Sequence, residues 1–175
     1  ILRDRHSLRV ADIAAVRALV PAEVVKTVCE PVATKKRPQN SYDAQFSIPY
    51  TVATALAKGR FGLAELDDAA LRDEQVLALA AKVEYEVDPD SPFPTYYSGE
   101  VVVTLNDGRE LRHREHINRG AAERPISNAD VERKFFENMQ LVTSAARAAQ
   151  VRDLVLAIGR DSAALDVQRG LAARG

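Results

Sequence analysis

A run of three basic side chains, Lys35, Lys36 and Arg37, directly precedes Pro38. Cations of this kind bind carboxylates, because an arginine guanidinium donates two parallel hydrogen bonds to one carboxylate while a lysine ammonium acts more as a point charge. The run therefore supplies cations that a carboxylate ligand can use. The alternative is that the three charges are simply solvated, as most exposed charge runs are.

Two hydroxyl-bearing residues, Ser47 and Tyr50, lie three positions apart. On a helical turn that spacing places both side chains on similar sides, where a hydroxyl pair can orient a carboxylate. In the alternative interpretation, which we favour, Ser47 caps a helix that begins at Ile48 and carries Pro49 in its first turn. Tyr50 then packs in the core, together with Phe46 and Ile48.

The remaining residues with catalytic potential favour structural interpretations. His6, His113 and His116 show no metal-ligand spacing with a carboxylate or with Cys29, so we predict no metal site. Cys29 has no recognisable base partner and is interpreted as a small buried residue at a helix end. The sequence has no glycine-rich phosphate loop, and no cofactor is expected.

Composition excludes several classes of function. The 175 residues are 46% hydrophobic, and 24 basic against 25 acidic residues leave a formal net charge of -1. Such a chain can build a core, but its balanced charge predicts neither a nucleic-acid partner nor an anionic membrane surface. No apolar run is long enough to cross a bilayer, and the first residues lack a signal-peptide core. The single cysteine fits a reducing compartment, so the cytoplasm is expected.

Two helices that could carry these side chains are predicted in the first half. Asp43 to Lys58 has an apolar stripe at helical spacing, and Gly59 is placed to end it. Pro49 predicts a kink or a helix start within that segment, because proline cannot donate the hydrogen bond of an interior helix position. Leu71 to Val83 predicts the second helix.

The segments before them are shorter. Ile1 to Leu8 is helical in pattern and has no capping residue before it, which suggests a fragment or a processed chain. Val16 to Val20 fits a helix or a short strand, and we favour the strand. Ala22 to Val28 predicts a short helix after a proline, and Val32 to Tyr42 predicts an exposed connection.

A hairpin is the clearest local prediction. Within Glu100 to Ile117, apolar residues recur at every second position, at Val101, Val103 and Leu105. A tight turn follows at Asn106-Asp107-Gly108. Val83 to Val87 predicts another strand. A small antiparallel sheet whose apolar face is covered by helices follows, which is an α+β fold rather than a doubly wound sheet.

Past Gly120 the pattern becomes entirely helical. Three consecutive segments, Asn128 to Val142, Ala148 to Gly159 and Ser162 to Ala173, show no strand signal between them, and Asn128 is a candidate cap. We therefore divide the chain into an α+β domain, residues 1–124, and C-terminal helices, residues 125–175.

Several stretches together are similar to one known family. In order and approximate spacing they resemble the motifs of MmgE/PrpD enzymes: Arg37-Pro38, Ser41 to Tyr50, Val83 to Val87, Val101 to Arg109, and Pro125-Ile126-Ser127 with Lys134-Phe135. Gln45 stands where relatives often carry lysine. The conjunction is specific, although an Asp-Gly-Arg turn alone means nothing.

The resemblance implies a C-terminal portion of such an enzyme. Residues 1–124 would be its α+β lid domain, and residues 125–175 would pack on an N-terminal helical domain that this chain lacks. Much of the polar active-site equipment would then lie upstream of Ile1. The isolated chain is expected to be inactive.

The activity implied by the resemblance is that of a cofactor-free lyase in propionate metabolism. A base would remove a proton and water would leave a polycarboxylate of the 2-methylcitrate type. Decarboxylation of cis-aconitate and epimerisation are alternatives within the family. The substrate-binding candidates are Lys35, Lys36, Arg37, Ser47 and Tyr50. A non-catalytic lid or interaction module is the alternative from another class.

The last helices also predict self-association. Their apolar side chains exceed what one small lid can cover: Phe135, Phe136, Met139, Leu141, Val142, Leu154, Val155, Ile158 and Leu165. Leaving several of them in water forfeits several kcal/mol at about 25 cal/mol per Å². A symmetric dimer lets each copy cover the other's patch, so a homo-oligomer is expected.

Overall fold

One four-stranded sheet organises the first part of the computed structural model, which describes residues 1–158 and 164–172. The strand order is β2-β1-β3-β4. The strands are β1 Ile13–Val20, β2 Val83–Val87, β3 Gly99–Leu105 and β4 Glu110–Glu115. The α+β class is confirmed, and so are strands at Val16 to Val20 and at Val83 to Val87.

The pairing of β1 with β2 differs from the predicted antiparallel sheet. These two strands run parallel, with Val16 opposite Val83 and Val20 opposite Val87, whereas β1 with β3 and β3 with β4 are antiparallel. A parallel pair needs a long crossover, and the helices between β1 and β2 supply it. Strand patterns carry no signal for the direction of a partner, so the prediction of an entirely antiparallel sheet was wrong.

The hairpin of β3 and β4 is confirmed. Gly108 has φ 86°, a conformation that L side chains rarely adopt, and its amide donates to the Leu105 carbonyl at 2.9 Å. The Asp107 carboxylate accepts from the Arg109 amide at 3.0 Å and completes the turn. Alternation and turn chemistry therefore act together in setting this element.

Six helices accompany the sheet: α1 Leu2–His6, α2 Val25–Val28, α3 Val32–Lys36, α4 Ser41–Gln45, α5 Ile48–Lys58 and α6 Glu74–Ala81. The predicted exposed connection from Val32 to Tyr42 was wrong, because it contains α3 and the start of α4. The predicted helix from Asp43 to Lys58 is interrupted at Phe46 and Ser47, which confirms a helix start near Pro49. Short 3₁₀ turns cover Leu63–Leu66 and Ala70–Arg72.

The core lies between the sheet and the helices. Helix α5 contacts α6 and the strands β1 and β2. The fully buried side chains of this core include Ile13, Val16, Tyr50, Leu79, Val83 and Val103. Along β3, Val101, Val103 and Leu105 face this core at the period of two expected for a strand, while Val102, on the opposite face, is also buried.

The chain divides into two compact units, a first unit Ile1–Pro125 and a second unit Ile126–Gly175. The second unit contains α7 Asn128–Met139, α8 Ala145–Leu156 and α9 Ala164–Ala172. Ser127 rather than Asn128 caps α7, since its hydroxyl accepts from the Asp130 amide at 3.2 Å. The predicted helix ends at Gly159, Ser162 and Ala173 lie outside the described residues. No described helix is long and apolar enough to cross a membrane.

Candidate functional site

Lys35 lies inside the first unit, with only 9% of its surface exposed. Its ammonium donates to the main-chain carbonyls of Thr27 and Phe46, each at 2.6 Å. Helix α3 places the side chain between the ends of α2 and α4, and the two hydrogen bonds connect these ends. The carbonyl oxygens offset part of the desolvation of the cation. Lys35 therefore positions the backbone beside Arg37.

Ser47 is buried and uses its hydroxyl twice. Its Oγ accepts from the Tyr50 amide at 3.0 Å and donates to the Lys35 carbonyl. The first contact satisfies one of the free amides at the start of α5, which is the function of an N-cap. The capping interpretation is confirmed, and Ser47 connects α3 to α5.

Tyr50 is fully buried, and its ring packs edge-on against Phe61, with centroids 6.2 Å apart. Its hydroxyl donates to the Glu65 carbonyl at 2.9 Å. Burial raises the pKa of Tyr50, so the phenol is neutral at pH 7 and acts as a donor. Ile48 packs against the core, but Phe46 is 38% exposed and stacks on Tyr42, so its predicted burial was wrong.

Lys36 and Arg37 each meet a glutamate, but the Lys36 side chain is only 19% exposed whereas Arg37 faces outward. The Lys36 ammonium donates to Glu84 Oε1 at 2.5 Å and to the Ala81 carbonyl at 3.0 Å. Arg37 donates from Nη2 to Glu74 Oε1 at 3.2 Å, and its side chain is 63% exposed. An exposed ion pair contributes about 0–1 kcal/mol, so Arg37 can exchange Glu74 for another carboxylate.

Arg37 lines a cleft of about 410 Å³, which we call the arginine cleft. Its other polar lining residues are Gln39, Asp68, Arg72 and Glu74. The volume lies within the range of small-molecule sites, about 300–1,000 Å³. Two guanidinium groups and two carboxylates thus share one opening, an arrangement that suits an anionic ligand able to compete for the arginines.

Tyr50 lines a second cleft, of about 400 Å³, together with Thr54, Lys58, Arg60 and Asp73. We call it the tyrosine cleft. Residues of the segment between α5 and α6 line both clefts. The 3₁₀ turn Ala70–Arg72 contributes to both clefts, whereas the turn Leu63–Leu66 contributes only to the tyrosine cleft.

Both cations that line the tyrosine cleft form ion pairs with carboxylates. Lys58 contacts Asp73 at 2.5 Å, and Arg60 contacts Glu65 at 2.7 Å. The hydrogen bond from Lys58 holds the pKa of Asp73 below its usual value, with help from the amides that Asp73 caps at the start of α6. The sequence gives no signal for Lys58, Arg60 or Arg72 as cleft residues, because helix ends and short turns have no periodic pattern.

A buried ionic network was also missed. Arg114 on β4 reaches Asp88 Oδ2 at 2.8 Å and Glu100 Oε2 at 3.0 Å, and the two carboxylate side chains are only 1% and 6% exposed. Burial opposes ionisation of Asp88, but Arg114, the Asp90 amide and the Ser98 hydroxyl together hold its pKa below the usual value. Glu100 and Arg114 lie directly opposite each other across β3 and β4, and this cross-strand pair of opposite charges is the feature of the sequence that could have indicated the network.

Metal and thiol chemistry find no support in the part of the chain that the structure describes. It holds no group of three or more potential metal-ligating side chains. Cys29 is fully buried at the end of α2, and burial raises its pKa to about 11. A thiol with that pKa is almost entirely protonated at pH 7 and is a poor nucleophile. The interpretation of Cys29 as a buried structural residue is confirmed.

Comparison with known proteins places these features in a family. Residues 1–159 match the MmgE/PrpD C-terminal domain. This chain belongs to the MmgE/PrpD family. The resemblance drawn from the motifs is thereby confirmed, and the arginine and tyrosine clefts are features of an MmgE/PrpD C-terminal domain.

Two enzymes of known activity are similar to this MmgE/PrpD chain. Cis-aconitate decarboxylase from Homo sapiens is 28% identical over 135 residues, which are 73% of this chain and 28% of the relative. The Mus musculus cis-aconitate decarboxylase is 28% identical over 129 residues, 70% of this chain and 26% of the relative. The chain thus matches little more than a quarter of the length of these lyase-type enzymes.

Proposed function

We propose that the chain is the C-terminal portion of a cofactor-free lyase that acts on a small polycarboxylate. The observation that carries the proposal is the arginine cleft, where Arg37 is largely exposed and is paired with one exposed glutamate. A polycarboxylate substrate needs such cations, and guanidinium groups bind carboxylates with two parallel hydrogen bonds. The names of the two relatives support a substrate of this class.

The five candidate residues divide into two roles in this proposal. Arg37 contacts a substrate carboxylate. Lys36, the preceding residue, connects the end of α3 to the Ala81 carbonyl and to Glu84. Lys35 and Ser47 hold the backbone of α3 and α5 in place through buried hydrogen bonds. Tyr50 lines the tyrosine cleft, but its hydroxyl already donates to the Glu65 carbonyl. In this proposal, the group that donates or removes a proton belongs to a helical domain outside this chain.

Three reactions are proposed in order of support. The relatives' names favour decarboxylation of cis-aconitate, in which a carbon–carbon bond breaks, CO₂ leaves, and the electron pair left on the substrate takes up a proton. Dehydration of a 2-methylcitrate-like hydroxy acid is the second, and it rests on the motif resemblance. Epimerisation of a related acid is the third. A carboxylate held beside the reacting carbon serves all of them.

A domain exchange tests the proposal directly. The 135 matched residues of human cis-aconitate decarboxylase are replaced by this chain. The chimera is assayed with cis-aconitate for CO₂ release and with 2-methylcitrate for the ultraviolet absorbance of an unsaturated product. The unmodified decarboxylase and the isolated chain are assayed in parallel. A folded chimera that turns over no polycarboxylate would count against the lyase assignment.

A non-catalytic lid or interaction module is the second candidate function. The observation that favours it is that Lys35, Ser47 and Tyr50 all use their polar groups internally. In that case, the chain alone binds a polycarboxylate or a partner without turnover. The chimera assay separates the two candidates. A non-catalytic module forms no product even when it is joined to the helical domain of an active decarboxylase.

The second unit suggests the partners. Its exposed apolar side chains are Ile126, Val131, Leu141, Val142, Val155, Leu156, Ile158 and Leu165. We propose that these contact a helical domain in a longer protein, and that in the isolated chain they mediate a homodimer. The proposed location is the cytoplasm, where a free thiol such as Cys29 persists.

A further inference from the structure

Arg72 differs from most arginines of the first unit. It lies at the end of the 3₁₀ turn Ala70–Arg72, is exposed, and lines the arginine cleft. Its guanidinium has no hydrogen-bond or ion-pair partner among the residues that the structure describes. Arg37, from the end of α3, lines the same cleft and has only the exposed Glu74 as partner. Two elements far apart in sequence thus bring two available guanidinium groups to one opening.

We propose that Arg72 is the second carboxylate-binding residue of the arginine cleft. Arg37 takes one carboxylate of the ligand and Arg72 takes another, so the cleft selects acids with at least two carboxylates. This inference rests on the proposed function and specifies which residues recognise the substrate. A cleft of about 410 Å³ accommodates a small polycarboxylate.

The acidic residues of the cleft determine how binding proceeds. Glu74 accepts from Arg37 at 3.2 Å while its side chain is 77% exposed, so this ion pair is weak. An incoming carboxylate replaces Glu74 on Arg37, and Glu74 returns to solvent. Asp68, which also lines the cleft, opposes anion entry and keeps the empty cleft near neutrality. Removing the Glu74 charge therefore strengthens anion binding.

The pairing also makes a prediction about ligand charge. A monocarboxylate satisfies one guanidinium and leaves the other unused. A dicarboxylate or tricarboxylate engages both, and the second contact is intramolecular once the first has formed. Citrate should consequently bind much more tightly than acetate at the same ionic strength.

Calorimetric titration of the full chain with citrate tests the inference, with acetate and sulfate as comparison anions. Arg72→Gln is expected to raise the citrate Kd about tenfold or more, which is typical for loss of a charge-assisted hydrogen bond. Arg72→Lys restores part of the affinity, because it keeps the charge but loses the fork. Glu74→Gln is expected to lower the Kd.

Arg5→Gln is the matched control. Arg5 is an exposed arginine of the first unit that lines none of the described clefts, so its replacement should leave the citrate Kd unchanged. Circular dichroism checks that each variant is folded. Citrate binding that is absent, or equal in Arg72→Gln and the unmodified chain, overturns the inference.

The two proposals fail separately. An active chimera whose Arg72→Gln form keeps its KM removes the role of Arg72 and leaves the lyase assignment standing. An inactive chimera combined with Arg72-dependent citrate binding by the chain removes the lyase assignment and keeps the carboxylate site.

Discussion

The two units of the chain bury their apolar side chains to very different extents. Among the side chains that the structure describes, the second unit buries only Ala148 and Val151, whereas the first unit has a continuous core between sheet and helices. Helix α7 has no buried residue at all. The first unit therefore has a core of its own, while the second leaves most of its described apolar side chains exposed.

Charged groups show the same contrast. The first unit buries Lys35, Glu65, Asp88 and Glu100, each with hydrogen-bond or ion-pair partners. No described charged residue of the second unit is buried. Removing one partner of a buried pair leaves an uncompensated charge, whereas removing a surface charge leaves it solvated. Substitution of a charged residue should consequently lower the free energy of unfolding strongly in the first unit and weakly in the second.

The largest expected effect is that of Arg114→Met, which leaves Asp88 buried without its cation, whereas Glu100 keeps its ion pair with Arg112 at 2.9 Å. Urea denaturation should show a loss of about 3–5 kcal/mol in the free energy of unfolding. Arg133→Met in α7 is the control, because that arginine is 59% exposed and pairs with Asp130 on its own helix. A loss of equal size in the two variants would remove the contrast between the units.

The same network sets a pH dependence. The pKa of Asp88 is lowered in the folded state, so its ionisation stabilises the fold above the unfolded pKa of about 3.9. That contribution is lost as the pH falls through the folded pKa. The difference in unfolding free energy between the unmodified chain and Arg114→Met should narrow across this acidic range. A constant difference down to pH 2 would contradict an ionised Asp88.

A core truncation should have the next largest effect. Leu79 is 1% exposed in α6, and Leu79→Ala should lower the free energy of unfolding by about 2–5 kcal/mol, since it removes apolar contacts and leaves a cavity. Leu156→Ala in α8 is the matched change, because Leu156 is 56% exposed. In a monomeric sample, it should alter stability by less than about 0.5 kcal/mol.

Two neighbouring lysines sharpen the comparison within the first unit. Lys35→Met leaves the carbonyls of Thr27 and Phe46 without their donor and should destabilise by about 1–3 kcal/mol or more. Lys36→Met removes a cation whose carboxylate partner, Glu84, is 68% exposed and becomes solvated, so stability should change by about 1 kcal/mol or less. Thermal unfolding of both variants measures the difference. Similar values would mean that Lys35 is not a buried support.

Substitutions on the exposed apolar side chains of the second unit should have the smallest effect on the folding of the first unit. Val155→Asp with Leu156→Asp places charges on side chains that are 47% and 56% exposed. We expect the double variant to abolish self-association in light scattering while leaving the unfolding of the first unit unchanged. An unmodified chain that is monomeric at high concentration, with strong hydrogen-exchange protection over residues 128–158, would contradict a missing partner.

Local chemistry in the sequence determined several elements correctly. The Asp107-Gly108 turn between alternating strands specified the hairpin, and Ser47 before Ile48 and Pro49 specified a helix start. Both depend on interactions within a few residues, which sequence patterns record directly. The order of several such motifs was also enough to indicate the MmgE/PrpD family, which the match over residues 1–159 confirmed.

Only the tertiary structure decided the features that join distant parts of the chain. It paired β1 with β2 in parallel, buried Lys35 among carbonyls, and placed Arg37 and Arg72 around one cleft. A basic run has the same appearance in sequence whether its members are solvated, buried or clustered with a distant residue. Burial and charge pairing depend on what packs nearby in space, and no local pattern contains that information.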